Sequence, residues 1–216
     1  MDKNVKTILI TLLILLPVTA WAVIPETHQQ TPRLFGYHEI QKNDLGLFPQ
    51  WLSVLERHIL ESKEVDDCNA SQFNTCHLKN WQYFLGTINE LPRMEQIRRI
   101  NRYANEKEYT LDIENYGIAD YWSTPREFLV NAGDCEDYAI IKMLSMKWLG
   151  YDIERMRIVV VQDTNLRTPH AVMAIEFAQD ILILDNQIEE VISHHDIYHY
   201  VPVYTVNESR WWMHIQ

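Results

Sequence analysis

The ten residues Asn131-Ala-Gly-Asp-Cys-Glu-Asp-Tyr-Ala-Ile140 place one cysteine between acidic residues, directly ahead of a long apolar run. Apolar residues occur all round a helical wheel between Cys135 and Leu149, which predicts a helix buried on most sides. Gly150 provides a stop, and Asp134 is a suitable N-cap. Cys135 would then occupy the positive end of a helix, a position that favours a reactive thiolate. The alternative is that Cys135 is a small buried hydrophobe.

The residues around this helix divide into a helical first half and a mixed second half. Amphipathic spacing predicts three earlier helices, at 47–62, 81–88 and 91–104. Thr124 and Glu127 form a capping box that predicts a short helix before the cysteine. β-branched and apolar runs predict strands at 157–161, 170–177, 181–184 and 201–206. We therefore expect an α+β fold, with a mainly helical lobe over 23–115 and a sheet lobe carrying the cysteine helix over 116–216.

The chain begins with the features of an export signal. A basic start, an apolar run over 8–18 and the small-x-small site Ala20-Trp21-Ala22 predict a signal peptide over 1–22. The run is shorter than the roughly 20 residues of a membrane span, which favours a cleaved signal peptide. The alternative is an uncleaved N-terminal membrane anchor. Cleavage would leave 194 of the 216 residues, enough for one catalytic domain of two lobes.

The composition is strongly acidic. The formal net charge is −11, and removing the leader, which carries +1 from Asp2, Lys3 and Lys6, makes it −12. A protein this acidic is a poor candidate for binding nucleic acid or an anionic membrane surface. It is well suited to binding a cation.

The chain contains three cysteines, Cys68, Cys76 and Cys135. In an oxidising compartment the first two can close a small loop, which leaves Cys135 as a free thiol. The alternative is that all three are reduced and buried.

A nucleophilic cysteine needs a base, and the base needs an orienting group. His170 begins one predicted strand and Asp185 ends the next, with a tight turn between them. If Phe177 pairs with Asp180, Asp185 becomes the diagonal neighbour of His170 on the same face, about 7–8 Å away. A shift of one residue would turn Asp185 to the opposite face. The three residues are therefore a candidate triad; the alternatives are a histidine in a polar rim and an ordinary turn acid.

Three acids, Asp134, Glu136 and Asp137, surround Cys135 and would raise its pKa. A hard cation would remove this conflict, because Ca²⁺ accepts carboxylate and carbonyl oxygens as ligands. The acids are therefore either a solvated helix start or half of a calcium site. A histidine-rich segment, Ser193-His-His-Asp196 with His199, fits no standard zinc spacing, and we interpret it as a solvated loop.

Several segments resemble the bacterial transglutaminase-like cysteine proteinases. They are Asp120-Tyr-Trp-Ser-Thr-Pro125, Glu127-Phe-Leu129, Gly133-Asp-Cys-Glu-Asp-Tyr-Ala139, Pro169-His-Ala-Val172 and Leu182-Ile-Leu-Asp-Asn186. The resemblance covers about residues 116–204 and, more loosely, the helical first half. It implies a papain/transglutaminase-like core, in which the helical lobe packs on an antiparallel sheet lobe and the catalytic helix lies in the cleft.

The resemblance also implies a function. Proteins of this kind are periplasmic endopeptidases that cut large surface adhesins after a dialanine near the adhesin's N-terminus, which releases the adhesin and disperses biofilm. They depend on calcium and are inhibited by an inner-membrane receptor for cyclic di-GMP. The alternatives on the same fold are a transglutaminase-like acyltransferase and a catalytically silent periplasmic binding protein.

The resemblance assigns roles to particular residues. Cys135 would be the nucleophile, His170 the base and Asp185 the orienting group. Asp134 and Glu136 match the calcium-binding acids, and Asp137 is a further candidate ligand. The oxyanion would be held by the Cys135 backbone N–H and by one upstream donor, for which Trp122 is the candidate.

Overall fold

The structure is a computed structural model that describes residues 33–63 and 76–216. Its helices are α1 Pro49–Glu61, α2 His77–Ile88, α3 Arg93–Asn105, α4 Asp112–Asn115, α5 Pro125–Asn131 and α6 Cys135–Trp148. Its strands are β1 His38–Lys42, β2 Met156–Asp163, β3 Thr168–Phe177, β4 Asp180–Leu184, β5 Ile192–Ser193, β6 Tyr200–Val206 and β7 Trp211–Ile215. No helix in these two ranges is long and apolar enough to cross a membrane. The signal peptide expected over 1–22 lies outside the described residues.

The helices lie where the spacing of apolar residues predicts them. The capping box of α5 is confirmed: the Thr124 hydroxyl accepts from the Glu127 N–H, and the Glu127 carboxylate accepts from the Thr124 N–H. The segment 106–115, which we expected to be a non-periodic link, contains the short helix α4. After α6 the chain turns at Gly150, whose φ of 76° suits a residue without Cβ.

The seven strands form one antiparallel sheet in the order β1-β7-β6-β2-β3-β4-β5. Phe177 pairs with Asp180 across the β3–β4 turn, which is the register that the candidate triad requires. The sequence predicts β2, β3, β4 and β6 but not β1, β5 or β7. The mostly exposed β1 lies at one edge of the sheet, where β7 is its partner, so it depends on a contact between the two ends of the described chain.

One buried core joins the helices to the sheet. Trp51 of α1, Met143 of α6, Ile158 of β2 and Met173 of β3 all belong to it. A second, smaller cluster on the sheet includes Leu34 and residues of β2, β3, β4 and β6. Residues 33–63 and 76–216 belong to one compact unit, and α6 packs directly on β2 and β3. The nucleophile candidate therefore stands on the most deeply packed helix of the fold.

The shared core predicts how α1 contributes to stability. Trp51 is fully buried, and its indole N–H donates to the Asn207 carbonyl at 2.9 Å. We expect Trp51→Ala to lower the free energy of unfolding by about 3–5 kcal/mol, because it leaves a cavity and an unpaired carbonyl. Leu47→Ala, at a position that is 66% exposed, should change it by less than about 0.5 kcal/mol. Urea unfolding measures both, and equal midpoints would contradict a core shared between α1 and the sheet.

Candidate active site

His170 and Asp185 meet at the end of the β3–β4 hairpin. The His170 Nε2 lies 2.9 Å from Asp185 Oδ1, and both side chains are buried. The same carboxylate accepts from the Tyr200 hydroxyl at 2.6 Å and from the Gln187 N–H at 2.9 Å. Burial alone would raise the pKa of Asp185, but the hydrogen bonds from these groups and the charge of His170 outweigh it and lower the pKa. Asp185 is therefore held as an anion.

The second ring nitrogen of His170 faces away from this carboxylate. Its Nδ1 lies 3.4 Å from the Gln187 amide nitrogen, which can act only as a donor. This contact and the bond to Asp185 favour the tautomer with the proton on Nε2 and a lone pair on Nδ1. A general base accepts a proton through a lone pair, so Nδ1 is the nitrogen of His170 that can act as the base.

Cys135 is the first residue of α6, and its thiol lies against β3. The Sγ contacts the backbone N–H of Ala171, the residue after His170, and donates to Glu136 Oε2 at 3.2 Å. Burial raises the pKa of the thiol, and the carboxylates of Glu136 and Asp134 raise it further. The Ala171 N–H opposes this shift only in part. The depressed pKa expected at a helix start is therefore wrong for this arrangement of charges.

Five carboxylates crowd around the start of α6. Asp134, Glu136 and Asp137 are joined by Asp112 of α4 and by Asp120, in overlapping groups whose oxygens lie within 4.8 Å of one another. Burial raises the pKa of Asp112 to about 6 and that of Glu136 to about 9, and neighbouring acids add to both shifts. The pKa of the fully buried Asp137 is raised for the same reasons. The negative charge of these acids is therefore only partly offset by neighbouring groups of the protein.

Several oxygens in this acid cluster have no hydrogen-bond partner. Among the residues that the structure describes, Asp112 Oδ1, Asp134 Oδ1 and Asp137 Oδ2 are buried and unpaired. The other oxygens of Asp112 and Asp137 accept from the backbone N–H groups of Tyr121 and Ser123. Buried, unpaired carboxylate oxygens are the ligands that a hard cation such as Ca²⁺ accepts.

Gly133 is required for this crowding. A Cβ at this position would stand 2.0 Å from Asp137 Oδ2, closer than any real contact allows. The glycine therefore lets the Asp137 carboxylate lie directly against the backbone before Cys135.

The cluster contains two acids that sequence reasoning missed. Asp112 lies in a segment without local periodicity, and it reaches the site because the Thr110 N–H donates to the Gly133 carbonyl at 2.9 Å. Asp120 stands in one of the segments that carry the family resemblance, but no local pattern marks it as part of the cluster. Asp134, an expected N-cap, makes no capping hydrogen bond; its carboxylate belongs to the acid cluster instead.

Trp122, the candidate oxyanion donor, is buried beside the acid cluster. Its indole N–H donates to Asp120 Oδ1 at 3.1 Å. An oxyanion role for Trp122 would therefore fall to its backbone N–H.

The histidine-rich segment is partly buried, whereas the sequence predicts a solvated loop. His194 is buried, and its Nδ1 accepts from the Phe35 N–H at 2.9 Å. Asp180 and His195 lie close enough to share a metal with it. The Phe35 bond requires an unprotonated Nδ1, however, which places the proton of the neutral ring on Nε2 and removes that nitrogen as a ligand. His194 ties the segment before β1 to the sheet.

The cysteines differ in oxidation state. Cys76 is disulfide-bonded and Cys135 is a free thiol. Cys68 lies outside the described residues, so its pairing with Cys76 stays a prediction.

Comparison with known proteins identifies the family and the fold. The family described as bacterial transglutaminase-like cysteine proteinase, BTLCP, matches residues 64–216. Legionella pneumophila LapG is similar in structure, with 24% identity, a TM-score of 0.59 and coverage of 74% of this chain and 87% of that one. Its calcium-bound form has the same identity and TM-score over 75% and 86% of the chains, and its EGTA-treated form over 74% and 84%. A search of curated proteins finds no match. The papain/transglutaminase-like α+β fold is confirmed.

The state of the thiols predicts a labelling pattern. In the native, oxidised protein we expect iodoacetamide to modify Cys135 alone, and slowly in the presence of chelator, because the surrounding carboxylates raise the pKa of its thiol. Added Ca²⁺ should accelerate labelling by offsetting their charge. Mass spectrometry of the intact protein and its peptides measures site and rate. Three labelled cysteines without prior reduction would contradict this prediction.

Proposed function

The chain belongs to the bacterial transglutaminase-like cysteine proteinase family, and from this premise we propose that it is a LapG-type, calcium-dependent endopeptidase of the periplasm. Its substrate would be a large surface adhesin, cleaved after a dialanine near the adhesin's N-terminus. Cleavage would release the adhesin and promote biofilm dispersal. An inner-membrane receptor for cyclic di-GMP would bind the protease and inhibit it.

The observation that carries this proposal is the buried His170–Asp185 pair at the end of the β3–β4 hairpin, where the Cys135 thiol lies against β3. Cys135 passes its proton to His170 Nδ1, and the thiolate attacks the scissile carbonyl. The peptide C–N bond breaks as the His170 imidazolium, stabilised by Asp185, protonates the leaving amine. Water, deprotonated by His170, then cleaves the thioester and regenerates the thiol. The oxyanion would be held by the Cys135 backbone N–H and by the backbone N–H of Trp122.

The acid cluster supports the dependence on calcium. Its candidate ligands are the carboxylates of Asp112, Asp120, Asp134, Glu136 and Asp137. A bound calcium ion offsets the negative charge that otherwise disfavours the Cys135 thiolate. The calcium-bound and EGTA-treated forms of Legionella LapG are consistent with such a site in this chain.

The substrate and the inhibitor follow from the family resemblance. Near the site, Tyr109, Leu111 and Ile118 are large apolar residues with about half of their surface exposed. Burial raises the pKa of Tyr109, and the nearby charges of Cys135 and Glu136 raise it further. Under the proposed function, these exposed apolar residues are candidates for contact with the adhesin or with the inhibitory receptor.

Substitutions in the proposed triad should separate chemistry from folding. We expect Cys135→Ser and His170→Ala to abolish cleavage, and Asp185→Asn to lower kcat by about 10³–10⁴-fold, because the imidazole loses its orienting anion. Asp196→Asn, an exposed acid in the same lobe, is the control and should retain full activity. Turnover is measured on a dialanine-containing adhesin fragment, and circular dichroism checks the fold. Near-normal turnover by Asp185→Asn would exclude Asp185 as the orienting group.

Calcium dependence is tested on the same fragment. We expect a Ca²⁺-selective chelator to stop cleavage, added Ca²⁺ to restore it and Mg²⁺ to substitute poorly, since Mg²⁺ demands a tighter octahedral shell. The apparent Ca²⁺ affinity should rise between about pH 5 and 9, because Asp112 and Glu136, with pKa values raised to about 6 and about 9, lose their competing protons across this range.

A matched pair of substitutions in α4 assigns the ligands. Asp112→Asn should weaken Ca²⁺ binding in calorimetry by about tenfold or more, whereas Glu114→Gln, an exposed acid two residues away, should not. Full cleavage in chelator would overturn calcium dependence. Transfer of the acyl group to an added amine in preference to water would indicate an acyltransferase, and no reaction with any peptide would indicate a binding protein.

A further inference from the structure

Tyr200, the first residue of β6, donates its hydroxyl to the carboxylate that orients His170. Its side chain is buried, and its hydroxyl oxygen lies 2.6 Å from Asp185 Oδ2, a length typical of a hydrogen bond from a hydroxyl to an ionised oxygen. Because β2 and β3 lie between β6 and β4 in the sheet, this bond brings a third strand end into contact with the His170–Asp185 pair.

The two carboxylate oxygens of Asp185 have different hydrogen-bond donors. Oδ1 accepts from the His170 ring and from the Gln187 backbone N–H, both at 2.9 Å. Among the residues that the structure describes, the only donor to Oδ2 is the Tyr200 hydroxyl. Asp185 is almost inaccessible to solvent, so without this bond Oδ2 would be a buried and unpaired oxygen of an anion, which is costly.

The Tyr200 hydroxyl keeps its proton and therefore remains a donor. Burial raises its pKa, and Asp185 raises it further, because an ionised phenol beside that carboxylate would bring two negative charges together. The effect on Asp185 is the reverse. Burial raises the pKa of Asp185, but the bonds and charge of His170, followed by the bond from Tyr200, lower it by more. Tyr200 thus helps to keep Asp185 ionised.

Aromatic contacts fix the direction in which the hydroxyl points. The Tyr200 ring lies 5.7 Å from the His170 ring between centroids, at an interplanar angle of 56°. On another side it meets the Phe35 ring edge-on, at 6.1 Å and 89°. Phe35 is itself anchored, because its N–H donates to His194 Nδ1 at 2.9 Å. A tyrosine side chain rotates about only two χ angles, so these contacts leave the hydroxyl little freedom.

We propose that Tyr200 is a positioning residue: by holding Oδ2, its hydroxyl fixes the rotation of the Asp185 carboxylate, so that Oδ1 faces His170 Nε2–H and Nδ1 keeps the lone pair of a general base. Its effect on turnover rests on the proposed function, whereas its effect on the His170 ring does not. Tyr200→Phe removes the hydroxyl and keeps the ring that packs against His170 and Phe35, so this variant isolates the bond to Asp185.

The ring N–H of His170 provides a readout that needs no substrate. In protein labelled with ¹⁵N-histidine, the Nε2–H bonded to Asp185 should give a slowly exchanging resonance far downfield, which is identified by its loss in His170→Ala. In Tyr200→Phe this resonance should broaden or disappear, because the carboxylate can then rotate. Tyr151→Phe, which loses a hydroxyl bond of 2.9 Å to the Arg93 carbonyl, is the matched control and should leave the resonance unchanged. Its absence from wild type, or its persistence unaltered in Tyr200→Phe, would overturn the proposal.

Turnover of the adhesin fragment separates positioning from packing. Tyr200→Phe should lower kcat about tenfold with KM nearly unchanged, and should cause no further loss in the Asp185→Asn background, where the carboxylate is absent. Tyr151→Phe should retain the wild-type kcat, and thermal unfolding measures the stability of each variant. A lower Tm for Tyr200→Phe with an unchanged kcat would mean that the hydroxyl serves packing alone, and would overturn the proposal. A wild-type protein that cleaves no peptide would refute the proposed function, and the His170 resonance would still decide the role of Tyr200.

Discussion

The burial of α6 with charges at its start and in its middle is the constraint on which the rest of the structure depends. Packing between α3 and the sheet removes these groups from water, so each charge must be compensated by a neighbour. The backbone N–H groups of Ser123 and Ala171 compensate Asp137 and Cys135 only in part. The surrounding loops and strand ends are arranged to bring donors, or further acids, to this one helix.

The elements that could be predicted from the sequence are those with local causes. The wheel of apolar residues predicts α6, and the capping box of Thr124 and Glu127 predicts the start of α5. The tight turn before Asp180 sets the β3–β4 register, and with it the meeting of His170 and Asp185. A short-range turn thus made a functional contact predictable, because the two side chains are only 15 residues apart in the chain.

The elements that could not be predicted depend on partners far along the chain. β1 forms only because β7 returns beside it, and His194 is buried only because the Phe35 N–H reaches its ring. Asp112 joins the acid cluster through the tie between the Thr110 N–H and the Gly133 carbonyl. Lys142 interrupts an apolar run, yet its side chain is fully buried. No local pattern carries any of these contacts.

The charges at the two ends of the proposed triad, on Asp185 and on the Cys135 thiolate, are compensated in different ways. This difference has a functional consequence. At the base, Asp185 accepts hydrogen bonds from His170, the Tyr200 hydroxyl and the Gln187 N–H, so the His170–Asp185 pair is complete within the protein. At the nucleophile, the neighbouring groups are acids that raise the pKa of Cys135. In the proposed enzyme, a cation bound at these acids would supply a positive charge that favours the thiolate. Under the proposed function, calcium availability would act on the nucleophile alone, while the base stays assembled.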